Sequence, residues 1–330
     1  MNRRLFLALT MVMVVAPARA QSPAKVPRVA LILATTPPAD MAGPEPISPP
    51  VRAFLQSMRE RGYVEGRNWI LDRRSAEGQW DRTADIVADL VRLRTDVIVL
   101  PNTDFASRAV KVTRDIPIVV LAGDNLVEAG LARSLARPGG NVTGSTVDVD
   151  AGADVKRLEL LHALLPKARR IAFIGTKEDW TNSWGTAIRS AATTLDVELF
   201  HVESTHSSYE SAFSKVRQER PDAFWMARNP AALAFRAAIG QFSKESGLPG
   251  ACGHAETAQL GCLMSYGFVL NDVTTLGASY VDKILKGARP AELPIEQARR
   301  FEFVLNLKTA RQIGLAIPTS VLLRADRVIE

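Results

Sequence analysis

The sequence predicts an α/β protein of two doubly wound parallel-sheet lobes joined by a hinge that the chain crosses more than once. Three observations carry this. Short β-branched, apolar runs alternate with longer amphipathic segments from Val26 onward, the pattern of βαβ units. In residues 96–100, DVIVL, Asp96 is followed by four successive apolar residues, Val97 to Leu100, and a strand with no polar face is covered on both faces by helices. The alternation then restarts after Gly144, so a second sheet follows the first.

In the first series, residues 29–33 form a strand and residues 49–62 a helix with Val51, Phe54, Leu55 and Met58 on one face and Gly62 as its stop. A strand at 69–72, a helix at 83–93 with Ile86, Val87, Leu90 and Leu93 inward, the strand at 96–100, a helix at 106–114 and a strand at 116–121 follow. The second series has helices at 155–165, 184–195, 209–217 and 231–246. Its strands lie at 170–174, 197–202 and 223–226, near Cys252, and at 261–266. A helix at 276–285, a strand at 301–306 and a helix at 309–313 are too few for a third unit and must complete the first two. The expected lobes are 27–144 with 270–297, and 145–269 with 298–330, with crossings near Gly144, Phe268 and Ala298.

Residues 1–20 read as a cleavable export signal. Arg3 and Arg4 precede an apolar run, and Ala18-Arg19-Ala20 offers small residues for cleavage before Gln21. The run, residues 5–16, is shorter than the roughly 20 residues that span a bilayer. The formal charge of +6 includes Arg3, Arg4 and Arg19, so about +3 remains on the 310 residues after the signal. Acidic and basic residues are interspersed, which argues against a nucleic-acid partner. Cys252 and Cys262 are open to three readings: a disulfide in an oxidising compartment, free thiols, or metal ligands with His254. The metal reading lacks a fourth ligand and a paired C-x-x-C spacing.

Catalytic and cofactor motifs are missing. No G-x-G-x-x-G follows the first strand, and neither a phosphate-binding G-x-x-x-x-G-K-[ST], a G-x-S-x-G elbow nor an H-E-x-x-H is present. The four histidines, His162, His201, His206 and His254, are scattered. No cofactor or metal is expected, and the residues give an enzyme no positive support.

Six phrases in order carry a family resemblance: LQSMRERGYVEGRN with AEG at 55–78, IPIV at 116–119, GLARSLARPGGNVTG at 130–144, LMSYG at 263–267, YVDKILKGA at 280–288 and NLKTA at 306–310. Together they resemble the ABC-transporter substrate-binding proteins of the tryptophan/unknown-substrate type, over nearly the whole chain after the signal. The resemblance implies a type I periplasmic-binding fold, a small organic ligand, aromatic or amino-acid-like, held between the lobes, and an inner-membrane ABC permease as partner to a monomer. A ligand-presenting sensor of the same fold is the alternative, and a secreted α/β enzyme the reading from another class.

Open α/β sheets bind ligands beyond the C-terminal ends of their strands, so the site candidates lie there. Thr35 and Thr36 follow the first strand. Asn102, Thr103 and Asp104 follow the 96–100 strand, where relatives carry a Gly-Gly-Thr-Pro-like stretch that only Thr103 matches; capping of the next helix is its other role. Asp124 follows the 116–121 strand, where relatives show Asp-Pro. In the second lobe Trp180 is the aromatic candidate, with Trp184 assigned to the core below the loop. Asn229 stands where relatives have Asp, and His254 and Glu256 follow the strand near Cys252. Thr103 and Asp124 are expected to face Trp180 and Glu256 across the cleft.

Overall fold

The computed structural model describes residues 25–147 and 152–330, so the export signal read in residues 1–20 lies outside the described residues. The strands are β1 Arg28–Leu33, β2 Ile70–Ser75, β3 Val97–Leu100, β4 Ile118–Gly123, β5 Val142–Thr146, β6 Arg170–Gly175, β7 Glu198–Glu203, β8 Ala223–Met226, β9 Gly250–Cys252, β10 Met264–Phe268, β11 Glu296–Gln297, β12 Phe301–Asn306 and β13 Arg327–Ile329. They form two sheets, ordered β11-β5-β4-β3-β1-β2 and β13-β12-β10-β9-β8-β6-β7. Both sheets contain the same winding, second strand beside first, then third, fourth and fifth outward on the other side. The pairings within these windings are parallel, whereas β12 runs antiparallel to β10.

Period-2 side-chain alternation builds the layers. Ala30 and Ile32 of β1 pack with Val87, Leu90 and Phe105 on one face of the first sheet. Val29, Leu31 and Leu33 pack with Val51, Phe54 and Met58 on the other. In the second sheet, Ile171 and Phe173 of β6 join Leu158, Leu161 and Ile188, while Ala172 and Ile174 join Phe213 and Phe242. The chain passes between the sheets after β5, after β10 and between β11 and β12. Helix Leu270–Leu285, which follows β10, returns to the first sheet. There Ala278, Tyr280 and Val281 join the core, and Asp282 accepts from the Tyr63 hydroxyl at 3.0 Å.

Three strands escape the sequence reading. β5, VTGST, has no apolar run, yet it is fully buried. Its Thr143, Ser145 and Thr146 hydroxyls donate to the carbonyls of Leu293, Leu121 and Gly123, which makes burial affordable. β11 has only two residues, and β13 is partly exposed. The helix expected over 231–246 is two, Pro230–Ala234 and Arg236–Ser246, separated at Phe235.

Cys252 and Cys262 form a disulfide, which removes the free-thiol reading and takes both sulfurs from the metal reading. It closes a loop of ten residues' separation around helix Ala255–Leu260. Loop-closure entropy then contributes about 3 kcal/mol. The double variant Cys252→Ala/Cys262→Ala should lose about that much in urea unfolding, and reduction of the wild type should match it. A loss under about 1 kcal/mol would mean the bond constrains nothing in the unfolded chain.

Candidate functional site

The strand order reverses between β1 and β3 in the first sheet and between β6 and β8 in the second. Helices diverge to opposite faces at such a point and leave a crevice beyond the strand ends. Here the two crevices meet. A cavity of about 890 Å³ lies between them, lined by Ala34, Thr35 and Thr36 after β1, Asn102 after β3, Thr176 after β6 and Arg228 after β8. Leu33, Leu121, Trp80, Trp184, Phe268 and Val273 supply apolar and aromatic wall. The lobes touch around it: Thr35 Oγ1 donates to the Pro230 carbonyl at 3.2 Å, and the Trp80 and His206 rings stack at 4.3 Å.

Behind the second-lobe wall lies a buried charged cluster. Asp154 and Arg157 sit one turn apart on helix Gly152–Leu164. Asp154 bonds Arg157 at 3.0 Å through one carboxylate oxygen and Arg228 at 3.4 Å through the other. The Arg157 side chain is 0% exposed and those of Arg228 and Asp154 are each 6% exposed. Arg157 also donates to the Met226 carbonyl at 3.0 Å and lies 3.8 Å over the Trp225 ring. Burial pulls its guanidinium down to about 10, against the pull of Asp154, so it stays charged at neutral pH. Arg228 reaches the cavity itself, its guanidinium 5.2 Å from the Trp184 ring and 5.2 Å from the Phe268 ring. Two cations therefore share one carboxylate.

A two-lobed crevice with a charged back wall suits ligand capture, and comparison with known proteins agrees. The profile of the family described as ABC transporter substrate binding protein matches residues 48–329. The chain belongs to that family. The Tyrosine-binding protein of Clostridioides difficile (strain R20291) is 23% identical over 278 residues, which cover 80% of this substrate-binding protein and 76% of the relative. Among solved structures, a conserved domain protein from Vibrio cholerae superposes with a TM-score of 0.77 at 23% identity, covering 92% of this chain and 100% of that one. An ABC domain in complex with L-Trp from Streptococcus pneumoniae gives 0.77 at 23% identity, covering 92% and 99%. These likenesses establish the fold, that of type I periplasmic binding proteins.

The structure brings together most of the residues that the sequence pointed to. Thr35, Thr36, Asn102, Asp104, Asp124, Asn229 and His254 line the cavity of this binding protein. Several already have structural work. Asn102 caps helix Thr103–Ala109 by accepting from the Phe105 amide at 3.2 Å. Asn229 caps the helix that follows it, Pro230–Ala234, through the Ala232 amide at 2.8 Å and donates to Asp179 at 2.8 Å.

Three expectations need correction. Thr103 is buried beneath the wall: its hydroxyl accepts from the Asp124 amide at 2.7 Å and donates to the Asp124 carbonyl, tying the loops after β3 and β4 together. Trp180 turns onto the sheet, edge-on to Phe173 at 5.2 Å and stacked on His201 at 5.2 Å, because the Thr176–Asp179 capping box sets the direction of its helix. Trp184, assigned to the core from sequence, is instead one of the aromatic residues that line the cavity. Glu256 sits in the first turn of its own helix, outside the lining, where burial pushes its carboxyl up and Arg327 and Arg236 oppose that. These two arginines belong to its own lobe, so Glu256 makes no contact across the cleft with them. Arg228, one of several residues that sequence reasoning missed, with Trp80 and Phe268 among the others, had one signal: it stands two positions after β8, beside Asn229.

His254 is 6% exposed, and neither ring nitrogen makes a hydrogen bond among the described residues. Burial, with the Arg228 charge second, pushes its imidazole down from 6.5 to about 3. The folded protein therefore holds it neutral while the unfolded chain protonates below pH 6.5. Its stabilising contribution is complete above pH 6.5 and falls as pH drops, by about 1.4 kcal/mol per unit until the folded ring titrates. His254→Gln should flatten the decline in stability between pH 6.5 and 4; a slope unchanged from wild type would place the acid sensitivity elsewhere.

Proposed function

We propose that this substrate-binding protein is an exported monomeric receptor that closes on a small aromatic, amino-acid-like solute and hands it, chemically unchanged, to an inner-membrane ABC permease. The observation that carries the reading is the interlobe cavity of about 890 Å³, with Trp80, Trp184 and Phe268 beside charged groups of both signs, Arg228 against Asp104 and Asp124. Aromatic walls suit a flat ligand, and opposite charges suit a zwitterion. Two similar proteins, a Tyrosine-binding protein and an ABC domain in complex with L-Trp, point the same way.

Residues 27–144 with 270–297 move as one body in this reading, and 145–269 with 298–330 as the other. Contacts such as Thr35–Pro230 and Trp80–His206 exist only when the bodies meet. A ligand that touches both walls shifts the population toward this closed form through its differential affinity. Cleavage after Ala20 releases the receptor to the periplasm.

The test is a thermal-shift screen of the protein lacking residues 1–20 against amino acids, aromatic acids, amines and sugars. A ligand present at 100 times its dissociation constant stabilises by about 2.7 kcal/mol. Aromatic amino acids or close analogues should give the largest shifts. If sugars or aliphatic polyols do instead, the ligand class is wrong; if no compound shifts the melting curve, the receptor reading fails.

A further inference from the structure

We propose that Arg228 anchors a carboxylate of the ligand, with Asp154 and Arg157 acting behind it as positioning residues, so that an anionic end is required for binding. The inference rests on the reading of the interlobe cavity as the ligand site and goes further, to the ligand's chemistry. Asp154 is the carboxylate that both guanidiniums reach, Arg157 at 3.0 Å and Arg228 at 3.4 Å. Among the described residues one positive charge is thus left uncompensated in a cluster whose side chains are at most 6% exposed. An unbalanced buried charge is costly, and an anion arriving beside it removes that cost.

Position in the wall identifies which cation takes the anion. Arg157 also has Nε and Nη1 atoms unpartnered among the described residues, but it is fully buried behind the wall, held by Asp154 and the Met226 carbonyl, and does not line the cavity. Arg228 lines the cavity, and Asp154 is its single hydrogen-bond partner among the described residues. Its Nε is buried with no hydrogen-bond partner among the described residues. A guanidinium donates within its own plane, in a fork that matches a carboxylate. The Trp184 and Phe268 rings at 5.2 Å hold that plane against the aromatic wall. The neighbouring His254 is neutral, so it adds no positive charge of its own to this wall. A flat ligand body beside Trp184 with its carboxylate on Arg228 satisfies both parts of the wall.

Calorimetric titration with ring-matched compounds tests this: L-tryptophan, indole-3-propionate, tryptamine and indole, and the corresponding L-tyrosine, 4-hydroxyphenylpropionate, tyramine and phenol. The carboxylate-bearing members should bind roughly 100-fold or more tightly than their carboxylate-free counterparts, the size of effect expected when a buried charge loses its partner. Arg228→Gln should lose about the same factor for the acids and level acid with amine, and Arg228→Lys should recover only part, lacking the fork. If an amine or neutral compound matches its acid within about tenfold on the wild type, the anchor is wrong while the cavity reading survives. Undiminished acid binding by a folded Arg228→Gln also overturns the anchor. Should that variant not fold, the wild-type comparison of acids with amines decides alone. If none of the compounds binds the wild type, both the anchor and the proposed ligand class fall.

Discussion

Gly144→Ala should destabilise the protein by about 4 kcal/mol or more, combining overpacking with a left-handed backbone that alanine resists. Gly144 lies in β5 with φ +133°, and a Cβ there would stand 2.1 Å from the Val120 carbonyl oxygen and 2.6 Å from the Val120 amide nitrogen. Both are backbone atoms of β4, paired with β5 at this residue, next to a register shift between Val120 and Gly123. No side chain can swing away to make room. Gly130→Ala is the control: φ is +71°, with nothing within 4 Å of the added carbon. It should cost about 1–2 kcal/mol from the backbone alone. Urea unfolding of both variants checks this, and equal losses would show that the close approach to Val120 relaxes freely.

Asp154→Ala should cost about 3–5 kcal/mol, because it strands two buried guanidiniums without their shared anion. Arg157 has no exposed surface in its side chain and Arg228 very little, so water cannot replace the carboxylate. The urea midpoint should fall with the slope of the transition unchanged, the mark of lost stability rather than altered compactness. Asp154→Ala/Arg157→Met should regain much of the loss, since an apolar side chain of similar length needs no counter-charge. A loss below about 1 kcal/mol for the single variant would mean that the cluster is solvated in a way its burial does not indicate.

The layers were legible where hydrophobic periodicity is local. β3 reads as a fully buried strand from four successive apolar residues, and β8 likewise. β5 was not, because its burial depends on three hydroxyls meeting carbonyls of β4 and the loop before β11. Those partners lie 23 to 150 residues away, so no local window contains the signal. Gly144 itself ends one of the phrases shared with the family, yet the reason for glycine there is the Val120 backbone in another strand.

The site divides in the same way. Residues just after strand ends were legible as wall, because a winding order places every such loop on one edge; Thr35, Asn102, Asp124 and His254 all line the cavity. Which aromatic faces the ligand was not legible. Trp180 and Trp184 are four residues apart, but a capping box at Thr176 and a new cap at Asn182 give their two helices separate directions. The charged cluster was hidden for a stronger reason. Arg157 looks like an ordinary helix arginine beside Asp154, and only the fold brings Arg228 to them from 74 residues away.

The sequence by itself determined two windings of strand and helix, since alternation and apolar runs are properties of neighbouring residues. The tertiary structure decided which charges are stranded inside, because burial and counter-charge depend on elements that no local pattern connects.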